Sequence, residues 1–115
     1  MISGIQCEQG DILLVPFPFT DLSSVKQRPV LVLSSTEYNR NHEDIITCGI
    51  TSNLKDREYS ILLTNQEMLQ GSLPKESRIK ADKLFTLEKS IVKRKFGKVK
   101  SVVVSEVKKE LVKII

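Results

Sequence analysis

A chain of 115 residues with 40% apolar and 28% charged side chains makes a single globular domain over residues 1–115, too short for two. No apolar stretch approaches the roughly 20 residues that cross a bilayer, and two cysteines at this spacing form neither a disulfide framework nor a zinc pattern. The net charge of +4 is local: six of the 18 cations (Lys89, Lys93, Arg94, Lys95, Lys98, Lys100) lie in one acid-free run, leaving 12 cations against 14 acids elsewhere. Such a run attracts phosphate backbones or an acidic partner segment, or is a solvated hairpin face.

The opening MISGIQCEQG has no basic region followed by an apolar one, so a cytoplasmic location is expected. Residues 10 to 34, GDILLVPFPFTDLSSVKQRPVLVLS, contain two strand-like segments. The first is a nearly continuous apolar run, as in a strand buried on both faces. Pro16 and Pro18 lack amide hydrogens on the same side, so that strand must reach a sheet edge or leave its ladder there. The second strand is PVLVLSS, with Pro29 at its first position. Between them the polar loop TDLSSVKQR delivers Arg28 to a strand mouth.

STEYNRNHED reads as a polar connection with a short helical turn, and DIITCGITS as a third, largely buried strand. REYSILLT, 57 to 64, is a fourth. NQEMLQGSLPKES is turn-rich, with Gly71 and Pro74 marking a break. In SRIKADKLF, Arg78, Lys80 and Asp82 alternate with Ile79 and Ala81, which predicts one wet and one buried face. SIVKRKFGKVK holds a further strand or hairpin. The terminal SVVVSEVKKELVKII repeats apolar residues at helical spacing, with Ser101 as N-cap, although three successive valines favour a strand. The helix is the better reading. Five or six short strands cannot leave their edges bare, so the expected fold is mainly β with α, a small barrel with the C-terminal helix over an open face.

The pattern GDI, an apolar strand with PF, a polar loop ending in RP and then VLVLS resembles the start of the MazF/PemK-like toxins of type II toxin-antitoxin modules. The resemblance continues through ITSN at 50 to 53 and SRIKADKLFTLEKS at 77 to 90, and so covers nearly the whole chain. It implies an SH3-like (PemK/CcdB-type) barrel, usually a homodimer. It also implies a metal-independent, cofactor-free endoribonuclease that cuts single-stranded RNA to 2′,3′-cyclic phosphate and 5′-hydroxyl ends. The implied partner is an antitoxin with an acidic, partly disordered tail.

Cleaving RNA without a metal needs a base for the 2′-hydroxyl, stabilisation of the phosphorane and an acid for the leaving oxygen. One histidine, His42, rules out a two-imidazole solution and reads as a structural or surface residue. Arg28 can grip phosphate oxygens with two hydrogens, although a guanidinium is a reluctant proton donor; the alternative is a surface arginine bonding a loop carbonyl. By resemblance Arg28 matches the arginine of the family's RP motif, which is taken to stabilise the transition state. Thr51 is similar in position to the family's active-site threonine, with Ser52 and Asn53 as further RNA contacts.

Lys80 and Asp82 stand where some family members carry an arginine and an aspartate that act as acid and base. Lys80, a candidate RNA contact, keeps the charge but loses the guanidinium fork, and an ion pair without a catalytic role is the competing reading for both. KLFT also departs from the QIRT or QVKS of better-known members. Asp21, Ser23, Ser24, Lys26 and Gln27 fit a mobile polar lid or a plain surface loop, with Lys26 and Gln27 as candidate RNA contacts. Phe17 and Phe19 stack bases or pack in the core. The rival functions are a CcdB-like gyrase-binding toxin, which shares the fold and acts by protein binding, and a non-catalytic nucleic-acid or protein-binding barrel.

Overall fold

Strands β1 (Asp11–Pro18) and β2 (Val25–Val32) form an antiparallel hairpin in which Leu13 pairs with Val30, Val15 with Arg28 and Pro18 with Val25. The computed structural model describes residues 6–18 and 25–115; Phe19, Asp21, Ser23, Ser24 and the ring of Phe17 lie outside the described residues. The apolar run is buried on both faces: Ile12, Leu13, Val15, Val30, Leu31 and Val32 are wholly inaccessible. Pairing begins at Val25, so Lys26, Gln27 and Arg28, expected in a loop, are strand residues. Pairing with Pro16, Phe17 and Val15 draws their backbone into the ladder. β1 also pairs with β7 (Arg94–Val99), from Asp11 to Leu14. Pro16 and Pro18 come after that pairing ends, where their missing donors cost little.

The connection after β2 holds α1 (Thr36–Asn41), started by Ser35, whose hydroxyl accepts a bond from the Tyr38 amide at 3.0 Å. β3 (Asp44–Thr51) follows as expected. β4 (Ser60–Leu63) is shorter than the 57 to 64 segment, because Tyr59 has a left-handed φ of 47° that ends the extended run. The segment read as turns contains β5 (Met68–Gly71), entered from a short 3-10 turn, Asn65–Glu67, closed by a Thr64–Glu67 capping box. Its last residue must be glycine: φ is 73°, and a Cβ there would lie 2.1 Å from the Phe96 carbonyl oxygen.

β6 (Ser77–Glu88) is twelve residues long. The chain ends in α2 (Ser101–Val112), a helix despite its valines because tertiary packing overrides propensity. Its N-cap is Lys100, without a side-chain cap bond, rather than Ser101.

The seven strands of the described residues make one antiparallel sheet, ordered β4-β6-β3-β2-β1-β7-β5. It curls into a half-barrel, with more strands than the five or six expected. Val103, Val104 and Val107 of α2 pack with Ile50, Leu63, Ile79 and Val99 in the core enclosed by the curl. A second cluster, including Cys7, Leu13, Val15, Val30, Ile45 and Val92, occupies the other face of the central strands. No helix among the described residues is long and apolar enough to cross a membrane.

Candidate active site

The beginning of β2, the end of β3 and the beginning of β6 come together at one end of the sheet, and their register brings specific side chains into a row. β2 and β3 pair Val30 with Gly49 and Val32 with Thr47; extending that register by two residues sets Arg28 level with Thr51. β3 and β6 pair Thr51 directly with Arg78. Residues opposite one another across antiparallel strands share a face, so Arg28, Thr51 and Arg78 form a row across three strands. Strands lie about 4.8 Å apart, which puts the two arginine Cα atoms roughly 10 Å from each other, within the combined reach of their side chains for one phosphate.

Each member is held differently. Arg28 is exposed and Thr51 half-buried. The Thr51 hydroxyl accepts from the Asn53 amide at 3.1 Å, and the Asn53 side chain accepts from the Lys55 amide at 3.1 Å, which fixes the turn leaving β3. Arg78 donates its Nε–H to Ser60 Oγ at 2.8 Å, and that hydroxyl donates to the Arg57 carbonyl at 2.7 Å. Neighbouring residues of alternate parity border a cleft of about 430 Å³ at this end of the barrel. Lys26, Gln27, Arg28, Ser52 and Lys75 line it above an apolar floor that includes Ile50; Thr51 and Arg78 do not line it, and among the described residues no carboxylate does. Of the residues singled out from the sequence, the structure therefore gathers Lys26, Gln27, Arg28, Thr51, Ser52 and Asn53 at one end.

Lys80 and Asp82 lie further along β6 and do not line the cleft. Lys80, predicted on a wet face, is instead buried, at 4% exposure. Its ammonium donates to Asp56 Oδ1 at 2.6 Å and to the Glu58 carbonyl at 2.7 Å, and stands 3.7 Å from Asp82 Oδ1. A buried ammonium needs such partners, and the β3–β4 connection supplies two of them. Asp82 is exposed. It sits in a bulge, because Gly49 pairs with Lys80 while the preceding Cys48 pairs with Leu84.

The basic run of residues 89–100 is largely tied into the fold. Lys89 is buried and donates to the Asn39 carbonyl at 2.5 Å. Lys95 pairs with the wholly buried Asp11 at 3.0 Å, Lys98 pairs with Glu8 at 2.5 Å, and the Arg94 guanidinium lies 4.8 Å above the centre of the Phe96 ring. The hydrogen bond from Lys98 holds the Glu8 carboxyl below its ordinary range. Burial pushes the Cys7 thiol up and that of Cys48 to about 12, so both are poor nucleophiles. His42 stacks on Tyr38 at the surface, with ring centres 4.0 Å apart and Nδ1 2.9 Å from the Tyr38 carbonyl. Among the described residues no cluster of His, Cys, Asp and Glu side chains is disposed to hold a metal ion.

Sequence reasoning missed Arg78 and Asp56. The strand alternation of Arg78 was visible, but its place beside Thr51 depends on cross-strand register. Asp56 is 24 residues from Lys80, and no local pattern joins them.

The fold is a small β half-barrel whose strand ends carry two arginines and a threonine near a cleft whose charged lining, among the described residues, is cationic. The chain belongs to the PemK-like, MazF-like toxin family of type II toxin-antitoxin systems, whose model matches residues 8–115. Among solved structures it is similar to MazF in a MazE-MazF crystal structure from Deinococcus radiodurans, at 20% identity and a TM-score of 0.78, with 96% of each chain covered. An endoribonuclease from Mycobacterial species matches at 17% identity and a TM-score of 0.73, over 95% of this chain and 90% of that one. The Mycobacterium tuberculosis toxin MazF-mt6 matches at 17% identity and a TM-score of 0.69, over 88% and 91%. At these identities the likenesses establish the fold. No curated protein matches the chain.

Proposed function

We propose that the protein is a metal-independent endoribonuclease toxin that cuts single-stranded RNA at the strand-end site. The observation that carries this reading is that the β2–β3 register, continued to the strand ends, brings Arg28 level with Thr51, and that Arg28 lines a cleft whose charged residues, among the described residues, are all cations. RNA cleavage through the 2′-hydroxyl develops charge on a five-coordinate phosphorus. A planar guanidinium and a hydroxyl fixed at adjacent strand ends suit that charge without needing to reorganise. Arg28 and Thr51 hold the scissile phosphate, and Asp82 takes the 2′-hydroxyl proton. Lys26, Gln27, Ser52 and Asn53 contact the flanking nucleotides. Lys80, tied to Asp56, adds positive potential beside Asp82. Attack by the 2′-oxygen forms the new P–O bond, the bond to the 5′-oxygen breaks, and the leaving oxygen takes up a proton. The products are a 2′,3′-cyclic phosphate and a 5′-hydroxyl.

By analogy with the solved MazE-MazF assemblies, a cognate antitoxin with an acidic tail neutralises the toxin by occupying its basic groove. A homodimer in the bacterial cytoplasm, with RNA entering along the dimer interface, completes the reading. The test is incubation of the purified protein with a long single-stranded RNA in excess EDTA, followed by sequencing of the new 5′ ends. Defined cleavage sites bearing 5′-hydroxyls are expected. An absolute requirement for magnesium, or an intact RNA, overturns the reading.

A further inference from the structure

We propose that Arg78 is a second phosphate-gripping arginine of this site, closing on the phosphate held by Arg28 and Thr51 from the β6 side; the inference rests on the reading of the site as an RNA-cleaving one. Three observations converge. Arg78 pairs directly opposite Thr51, and the β2–β3 register, continued two residues past its last pair, brings Arg28 level with Thr51, so the three residues share one face of neighbouring strands. Arg78 is half-buried and, among the described residues, has no carboxylate within ion-pair distance, whereas Lys80, Lys95 and Lys98 each have at least one. A partly desolvated guanidinium without an acid is costly unless an anion visits it.

The third observation is how the side chain is aimed. Ser60 Oγ accepts the Nε–H at 2.8 Å while its own hydrogen goes to the Arg57 carbonyl at 2.7 Å. That bond fixes the plane of the guanidinium through its inner nitrogen and leaves the two outer NH₂ groups to donate, the arrangement a bidentate phosphate contact requires. The nearby carboxylates do not neutralise it, because Asp56 and Asp82 both stand beside the Lys80 ammonium, at 2.6 Å and 3.7 Å. Ser60 is thus a positioning residue for Arg78, and Lys80 keeps the local acids occupied.

The experiment measures binding of a short, mixed-sequence single-stranded RNA whose 2′-hydroxyls are all methylated, so that it is bound and not cut, over a range of salt concentrations. Losing one phosphate contact from a single strand lowers the slope of log K against log salt by about 0.7. Arg78→Gln is expected to lower the slope by that amount and to slow cleavage of ordinary RNA at least tenfold. Arg78→Lys is expected to restore the slope but not the rate, since it keeps the charge and loses the fork. An unchanged slope in Arg78→Gln, with an unaltered urea midpoint, overturns the proposal. Should Arg78→Gln fail to fold, Arg78→Lys decides: a wild-type slope with slowed cleavage supports the proposal, and wild-type cleavage overturns it. A wild-type protein that binds the methylated RNA and loses slope with Arg78→Gln, yet cuts no RNA, leaves the phosphate contact standing and removes the nuclease reading. Failure of the wild type to bind the RNA removes both.

Discussion

The buried ammonium of Lys80 lies 2.6 Å from Asp56 Oδ1 and 3.7 Å from Asp82 Oδ1, so its principal partner comes from the β3–β4 connection rather than from its own strand. The two sides of the pair are unequal: the Lys80 side chain is 5% exposed and that of Asp56 43%. Asp56→Ala strands a charge in the interior, and losing a hydrogen bond to a charged group is expected to cost about 1.5–3 kcal/mol. Lys80→Met leaves behind a carboxylate that water can reach and fills the space with a similar volume, so it should cost less. Urea unfolding of the two variants checks the order. Equal midpoints, or a less stable Lys80→Met, would show that burial of the ammonium does not set the energetics.

Arg28→Ala is expected to fold, because the side chain is exposed and outside the core, and to lose RNA cleavage by about a hundredfold or more. That loss corresponds to the ~2.7–4 kcal/mol typical of removing one group that stabilises transition-state charge. Single-turnover cleavage at saturating RNA isolates the chemical step. A rate within a few-fold of wild type takes Arg28 out of the mechanism.

Much of this was legible in the chain because the signals were local. The apolar runs around Leu13 and Val30 had to be buried on both faces, and the GDI and RP motifs led to the family now shown over residues 8–115. Arg28 and Thr51 were singled out the same way, from the RP and ITSN motifs. What stayed hidden depends on pairing between distant segments. Lys80 looked wet by strand alternation, but the connection carrying Asp56 and Glu58 folds over it. β5 looked like turns because Gly71 and the polar residues around it mimic a loop. In the fold that glycine is needed where β5 passes within contact of Phe96. Arg78 gained meaning only once register set it beside Thr51.

Stability should fall on acidification in a way that depends on Glu8. Its carboxyl titrates lower in the folded protein than the ordinary 4.5, because Lys98 donates to it. The folded state therefore holds the deprotonated form more strongly than the unfolded chain does. The stabilisation is complete above the unfolded value and is lost as pH falls through the folded one. Glu8→Gln should lower stability at neutral pH and flatten the decline below about pH 4.5. Urea midpoints for both proteins across that range are the measurement, and parallel curves would exclude a contribution from the Glu8–Lys98 pair.

Asp82→Asn is expected to slow cleavage while leaving RNA binding intact, because asparagine keeps the shape of the side chain and cannot take a proton. The fold makes little structural use of the carboxylate. Asp82 is exposed on a bulge, and its nearest cation, Lys80, is already bonded to Asp56 at the shorter distance, so the fold does not depend on the Asp82 carboxylate. Stability of the variant should therefore match wild type. The two proteins should be compared at one low salt concentration, since a changed charge beside the site also alters RNA affinity through the ionic atmosphere. Binding is read with the 2′-O-methylated RNA and the chemical step by single turnover. A normal rate in Asp82→Asn places the base elsewhere. The reaction would then rest on the row of Arg28, Thr51 and Arg78, with proton transfer passing through Thr51 or a water it orients.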